Sequence, residues 1–166
     1  NYGKDWLQFT IRAVGRLTGA IQNLRVGDNL FIRGPYGVGF PIEKFRDSNL
    51  IIVAGGSGVA PVRPLISQIV AGSLPVKSLR LILGFKSKES ILFGDEIKEW
   101  QKKCDVTLTI DKPQEGWDGA TGLVTEHIKR LQLDLTDEYQ VVVVGPPVMM
   151  KFSTAEFRLL GIETED

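Results

Sequence analysis

From residue 50 the chain reads Leu50-Ile51-Ile52-Val53-Ala54, apolar and rich in β-branched side chains, with no polar alternation. Such a run predicts a strand buried on both faces of a parallel sheet. It breaks at Gly55-Gly56-Ser57-Gly58, after which Val62, Leu65, Ile66 and Ile69 recur at i, i+3, i+4 and i+7. That spacing predicts one apolar face of a helix over Pro61–Ala71. Pro61 suits its first turn, where a missing N–H is not needed. Further apolar runs predict strands over Leu79–Gly84, Val106–Ile110 and Val141–Val144. Between and after them lie helices over about Gly94–Lys102, Thr121–Leu131 and Pro147–Leu160. The last carries Val148, Phe152, Ala155 and Leu159 as an apolar stripe, expected to face the core. Strands alternating with helices of this length imply βαβ units in a doubly wound parallel sheet.

Ahead of residue 48 the period changes. Leu7, Phe9, Ile11 and Ala13 alternate with Gln8, Thr10 and Arg12, which predicts a half-buried antiparallel strand over Trp6–Val14. A second strand is predicted over Asn29–Arg33. Thr18 is placed to cap a short helix running through Leu24. Gly34 to Pro41 reads as a punctuated loop pinned by Tyr36 and Phe40. The chain is thus expected to be α/β, with residues 1–47 forming part of an antiparallel β-barrel and residues 48–166 a doubly wound domain.

Composition narrows the chemistry. Twenty basic and twenty acidic residues cancel, so neither a nucleic acid nor an anionic membrane surface is an implied partner. No apolar run approaches the roughly 20 residues of a membrane-spanning helix. Cys104 is the single cysteine, which excludes internal disulfides and a cysteine-ligated cluster within these residues and makes a reduced, cytoplasmic setting the default. A start at Asn1 suggests a fragment or a processed subunit.

Strand, glycine turn and helix N-terminus together make an anion site, because unpaired N–H groups and the positive end of the helix dipole converge there. Gly55, Gly56 and Gly58 let that backbone approach a ligand, although their spacing is not the dinucleotide fingerprint G-x-G-x-x-G. In doubly wound sheets ligands lie at the carboxyl ends of strands. The loops expected there are Gly55–Ala60, Gly84–Lys88, Asp111–Gly119 and Gly145–Pro147. Gly84, Phe85, Lys86 and Lys88 offer an aromatic face and two cations to an adenosine and its phosphate. Lys86 and Lys88 favour a 2′-phosphate and Asp111 opposes one, so NAD and NADP both remain open. His127, Cys104, Trp100 and Trp117 read as packing or anchoring residues, and Asp95 and Glu96 as carboxylates complementing a helix dipole.

Several motifs, in fixed order, resemble the ferredoxin–NADP reductase-like family. Gly55-Gly56-Ser57-Gly58-Val59-Ala60-Pro61 is similar to its nicotinamide-nucleotide pyrophosphate loop, and Gly145-Pro146-Pro147-Val148-Met149-Met150 to its nicotinamide-side loop. Arg33-Gly34-Pro35-Tyr36-Gly37 resembles the loop closing its flavin barrel, and Gly15-Arg16-Leu17-Thr18 its flavin-pyrophosphate segment. Trp117 to Val124 fits the loop after the third nucleotide-domain strand. Within the family, one branch is indicated. It holds the FAD/NAD(P) subunits of hydrogenases and sulfhydrogenases, the electron-transfer subunits of dihydroorotate dehydrogenase, and their counterpart in anaerobic sulfite reductase. The hydrogenase type is the nearest of the three.

The resemblance implies hydride exchange between NAD(P) and FAD, then single electrons to an iron–sulfur partner in a multi-subunit oxidoreductase. Arg12, Gly15 and Thr18 would meet the flavin diphosphate. Gly145, Pro146 and Pro147 would form a wall near the nicotinamide ribose, with Met149 behind it. No side-chain acid or base is implied. The family's isoalloxazine-holding Arg-x-Tyr/Phe-Ser/Thr segment and the branch's [2Fe–2S] cysteine run are both absent from these residues. Val144 stands where many relatives carry a cysteine. A nucleotide-binding or subunit-docking module without turnover of its own is the rival reading, and a doubly wound domain for another nucleotide-like ligand is the third.

Overall fold

The apolar run becomes β1 (Asn49–Gly55), the strand around which a five-stranded parallel sheet is laid, and all seven of its residues are buried. The computed structural model describes residues 5–134 and 136–163. β1 pairs with β2 (Ser78–Phe85) on one side and β5 (Tyr139–Val144) on the other. β3 (Asp105–Ile110) lies outside β2, and a two-residue strand, β4 (Ala120–Thr121), outside β3. The order is therefore β4-β3-β2-β1-β5. Successive connections step outward from β1 and then reverse to place β5 on its far side. The reversal leaves a crevice over the carboxyl ends of β1 and β5, where Ala54 aligns with Val144.

Leu50, Ile52, Val53 and Ala54 have no exposed surface. Burying an aliphatic side chain contributes roughly 1.5–3 kcal/mol, so β1 alone anchors much of the core. α3 (Val59–Val70) follows directly on a 3₁₀ turn at Gly56–Gly58 and buries Val59, Val62, Leu65 and Ile66. It starts two residues before Pro61, which falls in its first turn as expected. α4 (Gly94–Gln101) buries Ile97 and Trp100.

Two expectations downstream are corrected. The helix expected over Thr121–Leu131 is α5, only Val124–Ile128. Ala120 and Thr121 instead pair with Thr109 and Ile110 as β4, and Gly122 at φ +104° separates strand from helix. α6 (Pro147–Leu159) matches its expected extent to within a residue, but the face expected in the core is not the one buried there. Val148, Phe152 and Leu159 are exposed, Leu159 by 82%, whereas Ser153 and Phe157 are fully buried. Phe157 joins Ile51, Val53, Ile82, Val124 and Ile128 in the core, with Met149 and Leu160 packed against it. The helix carries two apolar stripes, and periodicity does not say which one meets the sheet.

The chain divides into two units, Asn1–Pro41 and Ile42–Asp166. The division falls before the boundary expected at Asp47–Ser48, because α2 (Ile42–Phe45) belongs to the sheet unit. Phe45 is buried, and the following residues are tied by Asp47 N–H to Pro75 O (3.0 Å) and Lys77 N–H to Ser48 O (2.8 Å). The first unit contains α1 (Arg16–Gln22) and, among the described residues, no strand. Trp6–Val14 and Asn29–Arg33 alternate as strands do but are not assigned to a strand among the described residues, and most of their apolar side chains stay exposed, Phe31 by 94%. Alternation supplies a face; a strand also needs a neighbour to bond. Thr18 does not cap α1 from outside. It sits inside the helix, where its hydroxyl accepts from the N–H groups of Val14 and Gly15 at 3.0 Å each and donates to Gly15 O at 3.2 Å.

Candidate functional site

The glycines after β1 divide into two kinds. Gly56 has φ +54°, a conformation side chains rarely adopt, and a Cβ there would meet open space. Gly55 and Gly58 make room for the chain itself. A Cβ at Gly55 would run into the Met149 sulfur, and one at Gly58 into the Val144 carbonyl oxygen. Gly145 repeats the theme, its Cβ falling 2.6 Å from Met149 Cε. The turn after β1 and the loop after β5 are therefore pressed together, and Gly56 is the position where backbone meets free space. The 3₁₀ turn carries the start of α3 back to Gly56, so the unpaired N–H groups of that helix end belong to this turn.

Beside it opens a cavity of about 730 Å³ over the carboxyl ends of β1, β2 and β3. Gly55, Gly56, Gly84, Phe85, Lys86, Asp111, Pro146 and Met149, all singled out from the sequence, line it. Phe85 does so while only 2% exposed, so it is floor rather than an open aromatic platform. Ser57, Gly58, Val59, Ala60, Pro61, Gly145 and Pro147 stand in the adjoining turns and helix starts without lining it. Arg12, Gly15 and Thr18 lie in the other unit, Arg12 exposed and the Thr18 hydroxyl committed to its own backbone.

Sequence reasoning missed the outer wall. Leu123, with Val124 and Thr125 of α5 and Lys129 just after it, lines the cavity together with Val148, Phe152 and Glu156 of α6. α5 can sit this low because Gly84 has no side chain: a Cβ there would run into Val124 Cγ1. Val148 and Phe152 are visible in the sequence as an apolar stripe, which by itself points to the core rather than to a cavity wall. Lys129 and Glu156 pair across the two helices, Nζ to Oε1 3.4 Å.

Charged groups around the cavity are unequally available. Lys86 lines it and is exposed, whereas Lys88 is drawn away: its ammonium donates to Gly116 O (3.0 Å) and its N–H to Gln114 Oε1 (3.0 Å). Gln114 also donates to both oxygens of Glu89, at 2.8 and 2.9 Å, which holds that exposed carboxyl below its ordinary value. The loop after β3 is thereby stapled to the turn after β2. Trp117 closes the same loop with an indole N–H bond to Ala120 O at 2.8 Å.

The remaining singled-out residues are structural. His127 Nε2 lies 3.1 Å from Thr109 Oγ1 and 3.2 Å from Thr121 O. Because Thr121 O only accepts, and the Thr109 hydroxyl donates to Gly122 O at 2.8 Å, Nε2 is the protonated nitrogen. It locks α5 to the ends of β3 and β4. Burial, and then Asp105, push the Cys104 thiol up to about 11, so the thiolate is scarce at neutral pH. Glu96, in the first turn of α4, accepts from Arg63 Nε at 2.7 Å, while the same guanidinium lies 4.6 Å from the Phe93 ring centre.

A protein family described as "Oxidoreductase NAD-binding domain" matches residues 52–155. Sulfhydrogenase 2 subunit gamma of Pyrococcus furiosus is 37% identical over 170 residues, which cover 94% of this chain and 58% of that protein. NADH-cytochrome b5 reductase 1 of Dictyostelium discoideum is 27% identical over 151 residues, 89% of this chain and 52% of that one. The chain spans about half the length of these curated relatives. Among solved structures, the cytochrome b5 reductase domain of Ulva prolifera nitrate reductase superposes with a TM-score of 0.75 at 21% identity, covering 90% of this chain and 63% of that one. A ferredoxin NADP+ reductase from Neisseria gonorrhoeae with bound FAD and NADP gives 0.74 at 19% identity, covering 92% and 65%. These two share the fold.

Proposed function

The chain belongs to the oxidoreductase NAD-binding domain family, and from that premise we propose that residues 48–166 bind NAD(P) across the β1–β5 crevice as part of a flavin-dependent oxidoreductase subunit. The observation that carries the reading is Gly56, left-handed and unobstructed at the head of α3, beside a cavity of about 730 Å³. The N–H groups of the 56–58 turn would receive the pyrophosphate, with α3 aiming its positive end at it. Pro146, Pro147 and Met149 would wall the ribose on the nicotinamide side. Lys86 and Asp111 would face the other ribose, where their opposite charges decide between a 2′-phosphate and a 2′-hydroxyl.

FAD is assigned to the first unit, Asn1–Pro41, as part of a flavin-binding barrel. The exposed apolar side chains of the first unit, such as Phe31 and Leu7, support that reading. When both cofactors are bound, the chemistry supplied is hydride transfer between nicotinamide and flavin; the protein's part is to bind and orient them. The physiological setting proposed is a cytoplasmic, multi-subunit enzyme of hydrogenase type, in which reducing equivalents pass to an iron–sulfur partner. The sulfhydrogenase gamma subunits among the relatives favour that branch. These residues do not fit an iron–sulfur cluster themselves, since their single cysteine is the half-buried Cys104. Among the described residues no helix is long and apolar enough to cross a membrane.

Calorimetric titration with NADH, NADPH and FAD tests the proposal. Nicotinamide nucleotides are expected to bind with FAD held weakly or not at all, and failure of both nucleotides to bind overturns it. The commitment of the Thr18 hydroxyl to its own backbone favours a second reading, an NAD(P)-binding or docking module without turnover of its own. Flavin absorbance that survives purification rejects that second reading.

A further inference from the structure

The carboxylate of Glu156 is in an unusual position for an acid. Its side chain is only 15% exposed, and among the described residues it accepts no hydrogen bond. Among the described residues its ion-pair partner is Lys129, whose Nζ stands 3.4 Å from Oε1, longer than the roughly 2.7–2.9 Å of a charge-assisted hydrogen bond. A carboxylate has about four lone-pair sites, and those of Glu156 are not sealed in the core but stand open to a donor in the cavity it lines. Glu156 lines the cavity beyond Val148 and Phe152, which precede it by two turns and one turn along α6. The wall thus runs from apolar to acidic as it leaves the glycine turn. Glu156 lies nine residues beyond Pro147, about 13 Å along the helix at 1.5 Å per residue.

We infer that Glu156 is a specificity-determining residue that accepts a hydrogen bond from the exocyclic amine of the adenine base. The inference rests on the reading that this cavity holds the adenosine half of NAD(P). A purine has flat apolar faces that suit Leu123, Val148 and Phe152, and a single edge bearing an N–H donor that suits an acid with no donor of its own. Lys129 keeps the pair neutral overall, so the wall does not repel the phosphates near Gly56. The ribose, between base and pyrophosphate, is left to Asp111.

The test is titration of the chain with NADH and with its hypoxanthine analogue, in which a carbonyl replaces the amine, in the wild type and in Glu156→Gln. The wild type is expected to bind NADH about tenfold more tightly, the size of one charge-assisted hydrogen bond. In Glu156→Gln, whose amide both donates and accepts, that ratio should fall close to one. Equal wild-type affinities overturn the inference while leaving the NAD(P) site standing. So does an unchanged ratio in the variant, or an equal loss for both nucleotides, which points to a ribose hydroxyl or the nicotinamide amide. If neither nucleotide binds the wild type, it is the site itself that fails.

Discussion

The two units of this chain use similar amounts of apolar patterning to opposite ends. In Ile42–Asp166 the run at β1 is bonded on both edges and covered on both faces, and every residue of it is buried. In Asn1–Pro41 the alternating stretches carry Phe9, Phe31 and Ile32, yet all three are exposed. An apolar residue stabilises a fold only where a neighbour removes it from water. One unit supplies its own neighbours, and the other offers a face.

The contrast is broken most directly by trimming an isoleucine in each unit. Ile52→Ala is expected to lower the unfolding free energy by about 2–5 kcal/mol, as large-to-small changes at fully buried positions do. Ile32→Ala, 58% exposed, should change it by less than about 0.5 kcal/mol. Denaturant titration of both variants decides, and equal losses would mean that the first unit has a core of its own. A glycine in each unit makes the next comparison. Gly58→Ala must push against the Val144 carbonyl and should cost about 1–3 kcal/mol, with nucleotide affinity falling alongside. Gly15→Ala, where a Cβ meets nothing within 4 Å, is expected to be close to silent in both measurements.

Lys86→Ala sharpens the picture inside the sheet unit. Removing the exposed cation at the cavity should weaken NADPH about tenfold more than NADH, the scale of a charge-assisted phosphate contact. Equal losses for the two nucleotides would show that Lys86 does not read the 2′ position. Ser153→Ala should go the other way and stabilise by up to about 1 kcal/mol, because the hydroxyl is fully buried and unpartnered among the described residues. A lower melting temperature in that variant would reveal a partner for Oγ.

The smallest effect is the pH dependence of the staple between loops. Glu89 is held below its ordinary 4.5 chiefly by Gln114, so its contribution to stability is present above pH 4.5 and lost as pH falls through the lowered folded value. NMR titration should find Glu89 below 4.5 in the wild type and moved upward in Gln114→Ala. A Glu89 that titrates at its ordinary value in both proteins would remove the staple from the account.

Much of the sheet unit was legible because its signals are local. A β-branched run without alternation, a glycine break and an i, i+3, i+4, i+7 stripe each constrain their own segment, so β1, the turn and α3 followed from neighbouring residues. Eight of the cavity-lining residues were legible for the same reason: they sit at the carboxyl ends of strands, in the loops that follow, or in the first turn of α6. Where two solutions satisfy one local pattern, the chain alone is silent. α6 carries two apolar stripes, and the choice of Phe157 over Phe152 was made by the space above Ile51 and Val53. The glycine spacing suggests openings for a ligand, yet Gly55 and Gly58 are occupied by Met149 and by the Val144 carbonyl, atoms some 90 residues away in the chain. The alternation of residues 6–14 stated a preference for strand pairing, yet among the described residues of that unit no strand is formed.

By itself, then, the sequence determined the order and type of the sheet-unit elements other than α2 and β4, the central strand and the place of the anion-binding turn, because backbone propensity and side-chain period act within a few residues. Only the tertiary structure decided which faces are buried, which glycine stays open and which acid stands at the far end of the cavity. Those outcomes depend on contacts between distant segments competing for the same volume.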